Sequence, residues 1–151
     1  MAKFITQPIT IDRLFHLVDI KAMESEFRFF NAQEPNSLGA DGVYIVHIPP
    51  RIRSKEELMS AYLKNAELPE YFGMNWDSLE ELLCDFSWIE QKNIAIVHED
   101  FPALQIEDVR VIYIDILRSA LNYWKTDSNH KLTVFFPESD MVKVVDAERK
   151  S

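Results

Sequence analysis

Three short runs of consecutive apolar residues constrain this chain more than anything else in it: Gly42–Ile48 (GVYIVHI), Asn93–His98 (NIAIVH) and Leu132–Phe136 (LTVFF). Each is rich in β-branched and aromatic side chains, the composition of a strand buried in a core. Pro49-Pro50 ends the first and Pro137 the third. Helix-forming stretches lie between them. Ser54 caps one, with Glu57 at capping-box spacing, and it runs to about Asn65 through Leu58, Ala61 and Tyr62. A second starts at Asn75 and continues to about Phe86. A third runs from about Ile106 to Lys125, with Val109, Ile112, Tyr113, Ile116, Leu117 and Leu121 on its apolar side. Strands separated by helices predict an α/β fold of βαβ units around a short parallel sheet with right-handed crossovers.

Either side of this region the pattern weakens. Apolar residues from Ile9 to Ile20 follow no single period, so a helix over about Ile11–Ser25 competes with extended structure. Glu26–Asn31 (EFRFFN) reads as a possible strand, and a hairpin with GVYIVHI is open to it. The expected organisation is an extension over 1–40 packed on the domain, a domain over 41–140 and a tail over 141–151, frayed at VDAERKS.

At 151 residues the chain has room for one domain with a real core. Its net charge of −9 argues against nucleic acid or an anionic membrane as direct partner and agrees with a cationic protein. Cys84, the single cysteine, forms no internal disulfide and suits a reducing compartment. No apolar run is long enough to cross a bilayer and MAKFITQPITIDR lacks a signal-peptide core, so a cytoplasmic location is expected.

The charge is concentrated around the second helix. From Asn65 to Gln91 there is no Lys or Arg, whereas Glu67, Glu70, Asp77, Glu80, Glu81, Asp85 and Glu90 are acidic. At 100° per residue Trp76, Leu79, Leu82, Leu83 and Phe86 share one arc, and Asp77, Glu80, Glu81, Cys84 and Asp85 share the other. Carboxylates one turn apart repel, and no cation within the helix offsets them. A face left unmixed in sign is suited to receive something positive, or it is only where the charge of an acidic chain has fallen; charge alone does not decide between the two.

LPEYFGMNWDSL resembles the core motif of the barstar family, intracellular inhibitors of barnase-type ribonucleases, at Leu68, Pro69, Glu70, Tyr71, Phe72, Gly73, Asn75, Asp77 and Leu79. The resemblance in element order extends over about Gly42–Phe136. It implies a barstar-like fold, a small three-stranded parallel sheet packed with helices, and a protein that binds a basic ribonuclease or ribonuclease toxin as an immunity protein. It also implies a partner-binding set of Tyr71, Asn75, Asp77, Glu80 and Glu81. By this resemblance Asp77 pairs with an arginine of the nuclease and Glu81 stands where the family has the aspartate inserted in the phosphate site. Tyr71 packs on the active-site histidine, and Asn75 both caps the helix and lines the interface. Departures are present as well. Glu81 is one methylene longer than that aspartate, Glu80 replaces a tryptophan, and two extra residues precede Trp88. Glu107 or Asp108 stands near the place of a second acidic contact. The alternative is a barstar-like binding module with a basic partner other than a ribonuclease.

An enzyme is not expected, nor is a cofactor or a metal. His98, Glu99 and Asp100 follow a strand end, where ligands of open sheets collect, but His16, His47 and His130 lie at no helical ligand spacing to them. With Gly39, Gly42 and Gly73 the only glycines, there is no phosphate-binding loop. Cys84 lies among carboxylates, which disfavour a thiolate nucleophile. Trp76, Phe86, Trp88, Tyr113, Tyr123 and Trp124 read as core, and of Tyr71 and Phe72 at least one is free for a partner.

Overall fold

A computed structural model describes residues 27–30, 43–104 and 107–151. Four strands form one parallel sheet: β1 (Phe27–Phe30), β2 (Val43–Ile48), β3 (Asn93–His98) and β4 (Lys131–Pro137), in spatial order β1-β4-β3-β2. Helices α1 (Lys55–Asn65) and α2 (Trp76–Leu83) lie between β2 and β3 in sequence, and α3 (Glu107–Thr126) between β3 and β4. A 3₁₀ turn over Glu138–Asp140 leads into α4 (Met141–Lys150). The parallel α/β architecture agrees with the alternation of apolar runs and helices.

The sheet corrects one expectation, because it has four strands, not three. EFRFFN makes no hairpin with GVYIVHI. Instead Phe27 to Phe30 run parallel to β4 in the register Phe27↔Val134 to Phe30↔Pro137. β4, buried along nearly its whole length, offers a free edge beside β3, and the aromatic run covers it. Phe136 shows how tightly: its ring centroid lies 5.7 Å from Phe27, 6.5 Å from Phe29, 5.4 Å from Phe101 and 4.0 Å from the stacked ring of His98. The central strands β3 and β4 are buried on both faces, which explains their continuous apolar sequence. The helix weighed for 11–25 lies outside the described residues.

Two helix ends also differ from expectation. α2 stops at Leu83 rather than near Phe86, because Phe86 takes a left-handed backbone (φ 44). That turn sinks its ring, fully buried, against Trp88, Trp124 and His130. The carbonyl of Leu83, orphaned at the helix end, accepts the Trp124 indole N–H at 2.8 Å. The tail expected to fray is helical over Met141–Lys150, with Val144 and Ala147 buried. On α3, Ile112 and Tyr123 are largely exposed rather than in the core.

At α1 the Ser54 hydroxyl accepts the Glu57 N–H at 3.1 Å, as the capping spacing predicts. The Glu57 carboxylate reaches back to the N–H of Arg53 at 2.7 Å, one residue beyond the cap.

A buried polar chain crosses this core. His98 Nδ1 lies 3.0 Å from the Phe135 carbonyl oxygen, to which it donates. Nε2 then accepts the Tyr113 hydroxyl at 2.6 Å, and the Tyr113 oxygen accepts that of Tyr62. Burial pushes the His98 imidazole down to about 3. Because the unfolded chain takes up this proton near 6.5 and the folded one does not, stability falls as pH drops from about 6.5 to about 3. Glu99 acts with opposite sign: burial, then the neighbouring Asp100 charge, raises it from 4.5 to about 7, so the folded state gains its proton first over that window. The two effects oppose each other between about 4.5 and 6.5, with the lowered His47 imidazole on the side of His98 and the raised Asp100 carboxyl on the side of Glu99. Glu99→Gln, which removes one opposing group, is therefore expected to lose stability to urea more steeply than the parent as pH falls from about 6.5 to 4.5, with up to ~1.4 kcal/mol per unit coming from His98. An equal slope in parent and variant would contradict this account.

Candidate protein-binding face

Leu68 to Asn75 forms a loop whose shape follows from its sequence. Leu68 and Phe72 are buried and anchor it, while Tyr71 between them is 69% exposed. The Phe72 N–H closes a turn on the Pro69 carbonyl at 3.0 Å. The Gly73 N–H donates to the Ser78 hydroxyl at 2.8 Å, and the Asn75 side-chain amide donates to the Gly73 carbonyl at 3.2 Å. Asn75 Oδ1 accepts the Ser78 N–H at 2.8 Å, which makes it the N-cap of α2. Loop and helix are thereby stapled together.

Gly73 is required by close approach. A Cβ there would stand 3.0 Å from Asn75 Nδ2, the amide that holds the cap in place. Gly73→Ala is accordingly expected to cost ~1 kcal/mol by displacing the cap, measurable as a lower urea midpoint at unchanged slope. No loss would show that the amide moves freely.

α2 divides as its periodicity predicts. Leu79, Leu82 and Leu83 are buried against the core, with Trp76 half-buried 6.3 Å from the Tyr113 ring. On the other side Asp77 and Glu81 are exposed and Glu80 is half-buried. Asp77 and Glu81 stand one turn apart, their Cβ atoms ~5–6 Å from each other. Asp77 also occupies the first turn, where the helix dipole favours a negative charge. Among the described residues no cation lies within 4.0 Å of Asp77, Glu80 or Glu81. Glu70 and Glu90 are exposed as well. Glu67 is different: its carboxylate accepts the Tyr44 hydroxyl at 2.8 Å and belongs to the packing of β2.

The five residues singled out from sequence thus lie on one loop–helix unit. Met74 was not among them, and the structure leaves it 38% exposed with a left-handed backbone (φ 56). Its signal in the sequence is an apolar residue lodged between a glycine and a helix cap. Asp108 is exposed in the first turn of α3. Cys84 follows α2 half-buried, and burial together with the Glu80 carboxylate pushes its thiol up to about 11, so it stays protonated.

His98, Glu99 and Asp100 do not converge. His98 turns into the core as described above. Glu99 faces His47, with Oε2 2.9 Å from Nε2, and Asp100 accepts the Arg51 backbone N–H at 3.1 Å. Burial lowers the His47 imidazole and raises the Asp100 carboxyl. Three neighbours in sequence thus serve three separate structural contacts. Among the described residues no three His, Cys, Asp or Glu side chains are grouped to hold a metal ion, and no helix is long and apolar enough to cross a membrane.

Compared with known proteins, residues 44–137, more than half of the chain, match the family model described as "Barstar (barnase inhibitor)". The match begins at the second residue of β2 and ends with β4, so it contains the loop and α2 entire. No curated protein sequence matches the chain.

Proposed function

The chain belongs to the barstar family, and on that premise we propose that it inhibits a basic ribonuclease by laying the acidic face of α2 across the active site. The observation that carries this reading is the pair Asp77 and Glu81, with no described cation within 4.0 Å, exposed beside Glu80 on a helix whose opposite side is fixed in the core. A ribonuclease site gathers cations to hold phosphates, and carboxylates on a rigid support satisfy the same cations while shutting out RNA. Asp77 and Glu81 supply the charge. Tyr71 supplies an exposed aromatic ring for a flat contact beside it, and Asn75 fixes the angle between loop and helix. Glu80, half-buried, adds charge at the margin.

Such contacts are strong because water leaves them: a close charge pair buried at an interface is costly to break, since its partner is left desolvated. Rigidity helps, as little conformational freedom remains to be lost on binding. In this reading the protein guards the cytoplasm that makes it, or receives it, against a ribonuclease toxin. Titration calorimetry with a basic single-domain ribonuclease, at low and at physiological salt, tests the proposal. One-to-one binding that weakens steeply with salt is expected. Binding indifferent to salt would overturn the acidic-face reading.

A further inference from the structure

We infer that Met74 is a specificity-determining contact on this face, and that the basic partner carries an apolar recess beside its cationic cluster. The inference rests on the inhibitor reading above. Most large apolar side chains left exposed among the described residues lie on α1, α3 or α4; Tyr71 and Met74 alone lie in a loop, three residues apart, on the approach to the acidic helix.

Two observations set Met74 apart from a casually exposed methionine. Its φ of 56 is the left-handed region, where a Cβ crowds the backbone and which glycine or asparagine adopts at less cost. Phe86 and Leu104, the other apolar residues with a positive φ among the described residues, bury their side chains in the core, whereas Met74 stays 38% exposed. Strain with only a partial structural return points to a position kept for function. The second observation is that the backbone of the loop carrying Met74 is held on both sides. Phe72 is buried on one side, and the Gly73–Ser78 and Asn75–Gly73 hydrogen bonds hold the other.

The chemistry of the partner follows. Carboxylates attract any array of cations and discriminate poorly among them. A thioether beside them changes that, because a lysine or arginine placed opposite would lose water against an apolar tip. A partner with an apolar recess there gains contact area, and the unbranched methionine adapts to its shape. A second copy of this chain is the wrong sign, since the face it would have to accept is acidic.

Barnase and a panel of basic single-domain ribonucleases serve as probes by titration calorimetry, and the tightest binder is taken forward. Met74→Asn, which keeps a residue tolerant of left-handed backbone, and Met74→Gly are compared with Asp77→Asn. Both Met74 variants are expected to bind about tenfold or more weakly with the salt dependence unchanged. Their thermal midpoints should equal or exceed that of the parent, which separates lost contact from lost folding. Asp77→Asn should instead flatten the salt dependence. Unchanged affinity in both Met74 variants, with Asp77→Asn weakened, overturns the role of Met74 and leaves the inhibitor reading standing. Unchanged affinity in all three, or no binding to any ribonuclease, overturns both.

Discussion

Reversing two charges, Asp77→Lys with Glu81→Lys, is expected to weaken binding to a basic ribonuclease by at least about three orders of magnitude. Truncating one partner of a desolvated charge pair costs ~2–5 kcal/mol, and reversal adds repulsion against the cations it faces. Two such sites on one helix face exceed ~4 kcal/mol together, which is a thousandfold. The fold should survive the change. Both side chains are exposed and neither pairs with a described cation. Lysine at 77 opposes the helix dipole by roughly 0.3–1 kcal/mol, whereas lysine at 81 complements it near a last turn that now holds no basic residue. Calorimetry alongside a thermal scan separates the two effects. Binding within tenfold of the parent by a folded double variant would contradict the role given to α2.

The largest expected effect on stability lies in the core, at Phe136. Phe136→Ala should cost ~3–5 kcal/mol, the range for truncating a fully buried aromatic. Phe136 joins β4 to β1 through Phe27 and Phe29, to β3 through His98, and to the loop after β3 through Phe101. Its removal opens a cavity at the meeting point of those elements, which cannot all collapse inward without breaking strand register. A domain of this size has ~5–15 kcal/mol in total, so the variant should be partly unfolded at modest urea. Tyr71→Ala, by contrast, should change stability by less than ~0.5 kcal/mol, since that ring is exposed. Comparable losses in the two variants would mean that the packing around β4 is looser than its burial implies.

What could be read from the sequence follows from how local each signal is. β2, β3, β4 and the three helices between them announce themselves by composition, periodicity and caps carried within a few residues. Ser54 and Asn75 cap the helices they precede, as expected of their types and positions. The fourth strand was only half legible. FRFF reads as extended, but its partner lies about a hundred residues further on, and nothing in four aromatic-rich residues says whether they pair in a hairpin or across the sheet. The end of α2 was missed for a related reason: helical periodicity carries Phe86 onto the apolar arc, while the core takes that ring through a left-handed turn instead. His98-Glu99-Asp100 was ambiguous because adjacency says nothing of direction, and their three partners come from β4, β2 and the loop after β2. Met74 escaped notice because its backbone conformation has no signature in residue type.

The most direct measurement is RNA hydrolysis by a basic ribonuclease toxin followed against increasing concentration of this protein. Inhibition that is stoichiometric, relieved by salt and lost in the Glu81→Lys variant is the result predicted. Tight binding with hydrolysis undiminished would contradict it, and would mean that the acidic face of α2 meets its partner away from the active site.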